Sequence, residues 1–258
     1  MKHWKLEINE MLATLTLNTG KKGNRLTPDT FEELNEVLMN LNMEEVRGII
    51  LMADGDNFSQ GFDLSFLLTS GSRDLLGIHK IFSICNLALD RLYNLPIPTM
   101  SLINGSCIGG GFLMALATDF RAAHTNAKFG FPEVKQSLVV NLGLKRVYQL
   151  LGECRTKELV LLGNPVSSDK LKNWGAINWI VNEDNFNDYI QLFKKYISSI
   201  PPLAVRANKK LIQKLPTLSM EESTELENVL QMNVFQSSDF KEAIRSFLEK
   251  RDPVFKGK

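Results

Sequence analysis

The stretch Asn104-Gly105-Ser106-Cys107-Ile108-Gly109-Gly110-Gly111-Phe112-Leu113-Met114-Ala115-Leu116 puts three consecutive glycines between a strand-like run and an apolar helical segment. Without Cβ atoms, these residues let another group come close to the backbone. The helix start also presents N–H groups that have no partner within the helix. An oxyanion would be well placed there. The same residues equally suit a tight turn where strand and helix pack closely, and taken alone they do not choose between the two. They do exclude two nucleotide motifs, because neither a G-K-[ST] ending nor a G-x-G-x-x-G pattern is present.

The surrounding chain reads as strands separated by helices. Leu6–Leu17 alternates apolar and polar residues around Asn9-Glu10, predicting an opening strand pair. Thr27-Pro28 then begins a helix with Phe31, Leu34, Leu38 and Leu41 on one stripe. Gly48–Met52, Pro98–Ile103 and Ile177–Val181 are apolar runs of the kind found in strands buried on both faces. Helical patterns occupy Ile78–Tyr93, Phe112–Ala117 and Phe186–Ile200, so pairing should be largely parallel and ligands should bind where strand ends meet helix starts. After Pro201-Pro202 the pattern is helical only, and Thr69–Ser72 reads as a mobile surface loop.

Composition narrows the partners. With 30 Lys+Arg against 29 Asp+Glu, the net charge of +1 gives no general attraction to nucleic acid or an anionic membrane, so any anionic ligand needs a local site. Cys85, Cys107 and Cys154 are scattered and odd in number, which fits neither a disulfide framework nor a zinc cluster. His3, His79 and His124 show no metal-ligand spacing, and His79 is expected on an exposed helix face. No apolar run reaches the length of a membrane span, and the expected location is a reducing cytoplasm.

Two further segments bear on chemistry. Asn57-Phe58-Ser59-Gln60-Gly61-Phe62-Asp63-Leu64 is a second glycine-containing strand-to-helix junction, in which Asp63 suits the cap of the next helix. Lys128–Val134 places Glu133 after a proline and among aromatic residues. A surface glutamate would be solvated, whereas one aimed into an apolar cleft would have a raised pKa suited to proton transfer.

Together these segments resemble the crotonase, or enoyl-CoA hydratase/isomerase, superfamily. The resemblance runs from Asn24-Arg25-Leu26-Thr27 through Phe58–Leu64, Asn104–Leu116, Phe131-Pro132-Glu133 and Ser167–Val181 to Phe247–Lys256. It implies an α/β fold, a spiral of ββα repeats over residues 1–200, with a helical oligomerisation region over 201–258 that builds homotrimers or homohexamers. The ligand would be an acyl-CoA or related acyl thioester, with no cofactor beyond the coenzyme A carried by the substrate.

Carried over by position, the backbone N–H groups of Phe62 and Gly110 would grip the thioester carbonyl as it becomes an enolate. Glu133 would move protons. Adenine would lie beside Ser59–Asp63, which includes Ser59, Gln60, Gly61 and Asp63; Leu64, Gly109 and Leu113 would also line the substrate site, and Lys21, Lys22 or Arg25 would lie near the phosphates.

The chain departs from the hydratase pattern at Leu113, where hydratases of this family carry the first of two glutamates. Leucine can neither accept a proton nor hold a water. The single-glutamate isomerases of the family have this arrangement, so isomerisation is favoured; the alternatives are hydration or dehydration, another acyl-thioester reaction such as decarboxylation, and a non-catalytic CoA-binding subunit. Asn141 lies where dienoyl-CoA isomerases place an aspartate; as an amide it could orient substrate or cap its loop.

Overall fold

The computed structural model describes residues 1–66, 68–69, 74–182 and 186–258; Ser70–Ser72 of the expected surface loop lie outside these residues. The first half contains β1 (Trp4–Asn9), β2 (Leu12–Leu17), α1 (Pro28–Asn40), β3 (Gly48–Ala53), α2 (Leu64–Phe66) and α3 (Leu75–Tyr93). There follow β4 (Thr99–Ile103), β5 (Ser106–Ile108), α4 (Gly110–Leu116), β6 (Phe120–His124), β7 (Lys128–Gly130) and α5 (Leu144–Leu162). The chain ends with β8 (Val166–Ser167), α6 (Ser168–Asn173), β9 (Trp179–Val181), α7 (Phe186–Ser199), α8 (Pro202–Lys214), α9 (Met220–Phe235) and α10 (Ser238–Glu249).

The strands form two layers. The larger sheet runs β1-β2-β3-β4-β6-β9, antiparallel at β1–β2 and parallel from β2 onward. A smaller sheet, β5-β7-β8, carries the second strand of successive turns, and isolated bridges Leu26↔Phe62 and Ser59↔Cys107 extend it toward the Phe58–Leu64 loop. The unit β4-β5-α4 therefore sends one strand to each sheet before its helix, as the expected ββα repeat requires.

The apolar runs behave as doubly buried strands. Ile49 and Leu51 face the main core with Phe31, Leu34 and Leu89, while Ile50 faces the opposite layer with Met100, Leu102, Phe193 and Ile197, where α7 covers the sheet. Strand alternation sends successive side chains to opposite faces, so a continuous apolar run is needed when both are covered.

Three polar devices lock this frame where the site is built. Asp63 caps α2 as expected, its Oδ1 accepting from Ser65 N at 3.0 Å and Ser65 Oγ at 2.6 Å. Arg121, within β6, is buried and donates to the carbonyls of Ala176, Thr118, Asp119 and Ala115 at 2.7, 2.5, 3.1 and 3.4 Å. Lys209 of α8 reaches Asp119 Oδ2 and Ile97 O at 2.7 and 2.9 Å, tying the C-terminal helices to the sheet. Among the described residues no helix is long and apolar enough to cross a membrane, and no cluster of His, Cys, Asp or Glu could hold a metal ion.

Candidate active site

The site forms where the Phe58–Leu64 loop, the Gly109–Gly111 turn and the Pro132–Gln136 3₁₀ turn converge. Leu26 N donates to Gly61 O at 2.9 Å and Asp63 N donates to Leu26 O at 2.9 Å. In such a parallel ladder the residue between those two directs its own N–H the other way. The N–H of Phe62 therefore faces away from Leu26, and it has no acceptor among the described residues. On the other strand-end, Gly109 N is used by Gly130 O at 2.9 Å, whereas Gly110 N, the first of α4, likewise has none.

Glycine is required at 109 for two reasons. Its φ of 53° lies in the left-handed region, and a Cβ there would come 2.6 Å from Glu133 Oε1. This close approach sets the Glu133 carboxylate beside the Gly109–Gly110 peptide. At Gly110 a Cβ would meet Leu26 Cδ1, Leu142 Cδ1 and Phe62 Cδ2 at 3.5–3.6 Å, so the wall there is apolar.

Glu133 is half-buried, and its Oε2 is sealed from solvent with no hydrogen-bond partner among the described residues. Burial pushes its carboxyl above the ordinary carboxylate value, against a smaller opposing hydrogen bond from its own backbone N–H. A carboxylate sealed in this way lacks the solvation that would make it a bystander. A carboxyl with a raised pKa is suited to taking and returning a proton. Leu113 is buried on α4 one turn from Gly110 and offers no second proton carrier.

The other sequence-derived residues divide by what they touch. Ser59 is fully buried, donating to Asn24 O at 2.8 Å and accepting from Gly61 N at 3.1 Å, so its side chain holds the loop. Gln60 and Leu64 are half-buried at the loop's two ends, while Gly61 is buried with a φ of 84°. Asp63 pairs with Lys21 at 2.7 Å, and this contact above all, with Ser65, holds its carboxyl down to about 2. Lys21 is thereby fixed beside the loop. Arg25 is half-buried and has no ion-pair partner among the described residues.

Among the described residues, Asn141 makes no hydrogen bond that would cap its loop. Its neighbours Val140 and Leu142 are buried and turn inward, so the alternation of the loop sends Asn141 outward, exposed and without a hydrogen bond among the described residues. Leu142, which sequence reasoning passed over, is the residue of this loop that reaches the site. Phe31 and Phe82 were missed in the same way: Phe31 stacks on the Phe62 ring at 5.8 Å, and Phe82 of α3 meets it at 6.1 Å. Only the alternation around Asn141 could have signalled Leu142 beforehand. His79 is exposed on α3, as expected.

Residues 7–258 match the enoyl-CoA hydratase/isomerase family. An enoyl-CoA isomerase/hydratase of Mycosarcoma maydis is 32% identical over 82% of this chain and 77% of its own. A methylmalonyl-CoA decarboxylase of Escherichia coli is 30% identical over 95% of both chains. The crystal structure of an enoyl-CoA hydratase from Bacillus anthracis superposes with a TM-score of 0.92 at 26% identity, covering 99% of this chain and 100% of that one.

Proposed function

The chain belongs to the enoyl-CoA hydratase/isomerase family, and from that premise we propose that it moves the double bond of an enoyl-CoA through a thioester enolate, with Glu133 as its proton carrier. The thioester oxygen accepts from Phe62 N and Gly110 N. Glu133 removes a proton from C2 of a 3-enoyl-CoA, and the C–H electron pair passes to the carbonyl oxygen. When the enolate collapses, the 3,4 double bond becomes a 2,3 double bond and the proton returns at C4. No atom is gained or lost.

Each backbone donor of this kind contributes roughly 2.7–4 kcal/mol to a transition state. The seven-residue helix α4 matters less as a dipole than as the frame that aims one of these N–H groups. The observation that carries the reading is a carboxyl with one sealed oxygen beside Gly109, next to a Gly110 walled by Leu26, Phe62 and Leu142, on a helix whose position 113 is a buried leucine. Hydration needs two groups that hold and split a water, and position 113 offers a hydrocarbon instead. In the assay, purified protein is given a 3-enoyl-CoA and formation of the conjugated thioester is followed. We expect turnover in the wild type and a loss on the order of 100- to 10,000-fold in Glu133→Gln. No turnover, or turnover indifferent to the substitution, would sink the reading.

The relative named methylmalonyl-CoA decarboxylase supports a second reading. Loss of CO₂ from a 2-carboxyacyl thioester generates the same enolate in the same N–H pair and leaves Glu133 only to deliver a proton. Release of CO₂ from such a substrate at a rate above that of isomerisation would favour it. We further propose that α8, α9 and α10 assemble the chain into trimers.

A further inference from the structure

We infer that Arg146 is a positioning residue for the two carbonyl-gripping N–H groups, because it ties together the two elements that buttress Phe62 and Gly110. This inference rests on the enolate reading above. Arg146 lies in the first turn of α5, with its side chain only 12% exposed. Its Nη1 pairs with Asp90 Oδ1 of α3 at 2.7 Å, and its guanidinium lies over the Tyr93 ring, also of α3, 5.7 Å from the centroid. On the other side Nη2 donates to Leu142 O at 3.1 Å. A planar fork with several fixed donors suits a bridge between a carboxylate and a carbonyl in a way that an ammonium does not.

Both ends of that bridge lead to the site. About two turns from Asp90 along the same helix, Phe82 abuts the Phe62 ring, whose backbone supplies one N–H. The side chain of Leu142 packs beside Gly110, where an added Cβ would meet its Cδ1 at 3.6 Å, and the backbone of Gly110 supplies the other. Gly143 shows that the guanidinium has its place reserved, since a Cβ there would overlap it. The buried Arg146 Nε has no partner among the described residues, so the side chain is kept in this position by its two outer nitrogens and the ring. Asp90 is 59% exposed, so the ion pair by itself adds little to stability; the geometry it imposes on Leu142 and α3 is what reaches the chemistry.

A cinnamoyl-CoA thioester with an electron-donating para substituent tests this, since its absorption moves to the red as its carbonyl is polarised. We expect the wild type to produce the red shift. Arg146→Met should bind the probe within about threefold of wild type yet lose at least about half of the shift; its kcat for a 3-enoyl-CoA should fall on the order of 100-fold with KM changed less than about threefold, as expected for misplacement of reacting groups. Arg146→Lys should recover part of both, because its ammonium can still reach Asp90. Should Arg146→Met fail to fold, Asp90→Ala, altering an exposed partner, must still reduce the shift. A full red shift in these variants with turnover near wild type overturns the role of Arg146 alone. Probe binding to the wild type with no red shift overturns the enolate reading and this inference with it.

Discussion

Glu133 carries two opposed consequences of one burial. Because its pKa in the fold is raised above the ordinary carboxylate value, the folded state holds the proton more tightly than the unfolded chain. Stability is therefore unaffected well below the unfolded value and falls as pH rises through the folded one, where the chain must keep a poorly solvated charge. Glu133→Gln removes that cost: its melting temperature should exceed the wild type's near neutral pH, and the gain should shrink in acid, as thermal unfolding across pH would report. A gain that is constant with pH would contradict this. With Glu133 as the proposed proton carrier, activity runs the other way, since only the ionised form accepts a proton. The acid limb of kcat/KM should have its midpoint above the usual carboxylate range, and a midpoint at the ordinary value would show that the carboxylate is solvated. Glu133 was legible in the sequence by its place after Phe131-Pro132; its burial was not, because nothing in a tripeptide tells which neighbours seal it.

At the scale of elements, α4 is short, so its aim is set by what holds its ends. The N-terminal end is fixed by Gly109 N on Gly130 O, and the far end by the buried guanidinium of Arg121, which gathers Ala115 O, Thr118 O and Asp119 O. Burial draws that guanidinium down to about 10, against the opposing field of Asp119, so it remains charged at neutral pH. Arg121→Met would leave several buried carbonyls without donors, and urea unfolding should show a loss of roughly 3 kcal/mol or more; a loss within about 0.5 kcal/mol would place the guanidinium among ordinary surface changes. Elements of this kind explain what the sequence hid. Strand β6, Phe120–His124, was not anticipated because Arg121 interrupts its apolar run. The small sheet escaped for a different reason: β5, β7 and β8 are two or three residues each, too short for any periodicity. Helix α5 was hidden by Gly152, whose φ of 73° and ψ of 175° kink it midway and break the helical stripe. By contrast β3 and β4 were legible, since burial on both faces writes a continuous apolar run.

For the whole molecule, the C-terminal helices are legible as helices but not as a closed layer. Met220, Met232, Phe247 and Leu248 are exposed by 85, 62, 81 and 73%, more apolar surface than a solitary helix layer ordinarily shows to water. If α8–α10 assemble trimers, light scattering should give about 87 kDa, three times 29.1 kDa. Phe247→Asp with Leu248→Asp should reduce that mass by placing charges in an apolar contact; an unchanged mass would locate the interface elsewhere. The proposed chemistry comes down to a preference between isomerisation and hydration. The direct measurement is the ratio of kcat/KM for isomerising a 3-enoyl-CoA to that for hydrating the matching 2-enoyl-CoA. With one carboxylate and a leucine where the second would stand, isomerisation should exceed hydration by on the order of 100-fold or more. A ratio near or below one would contradict the account.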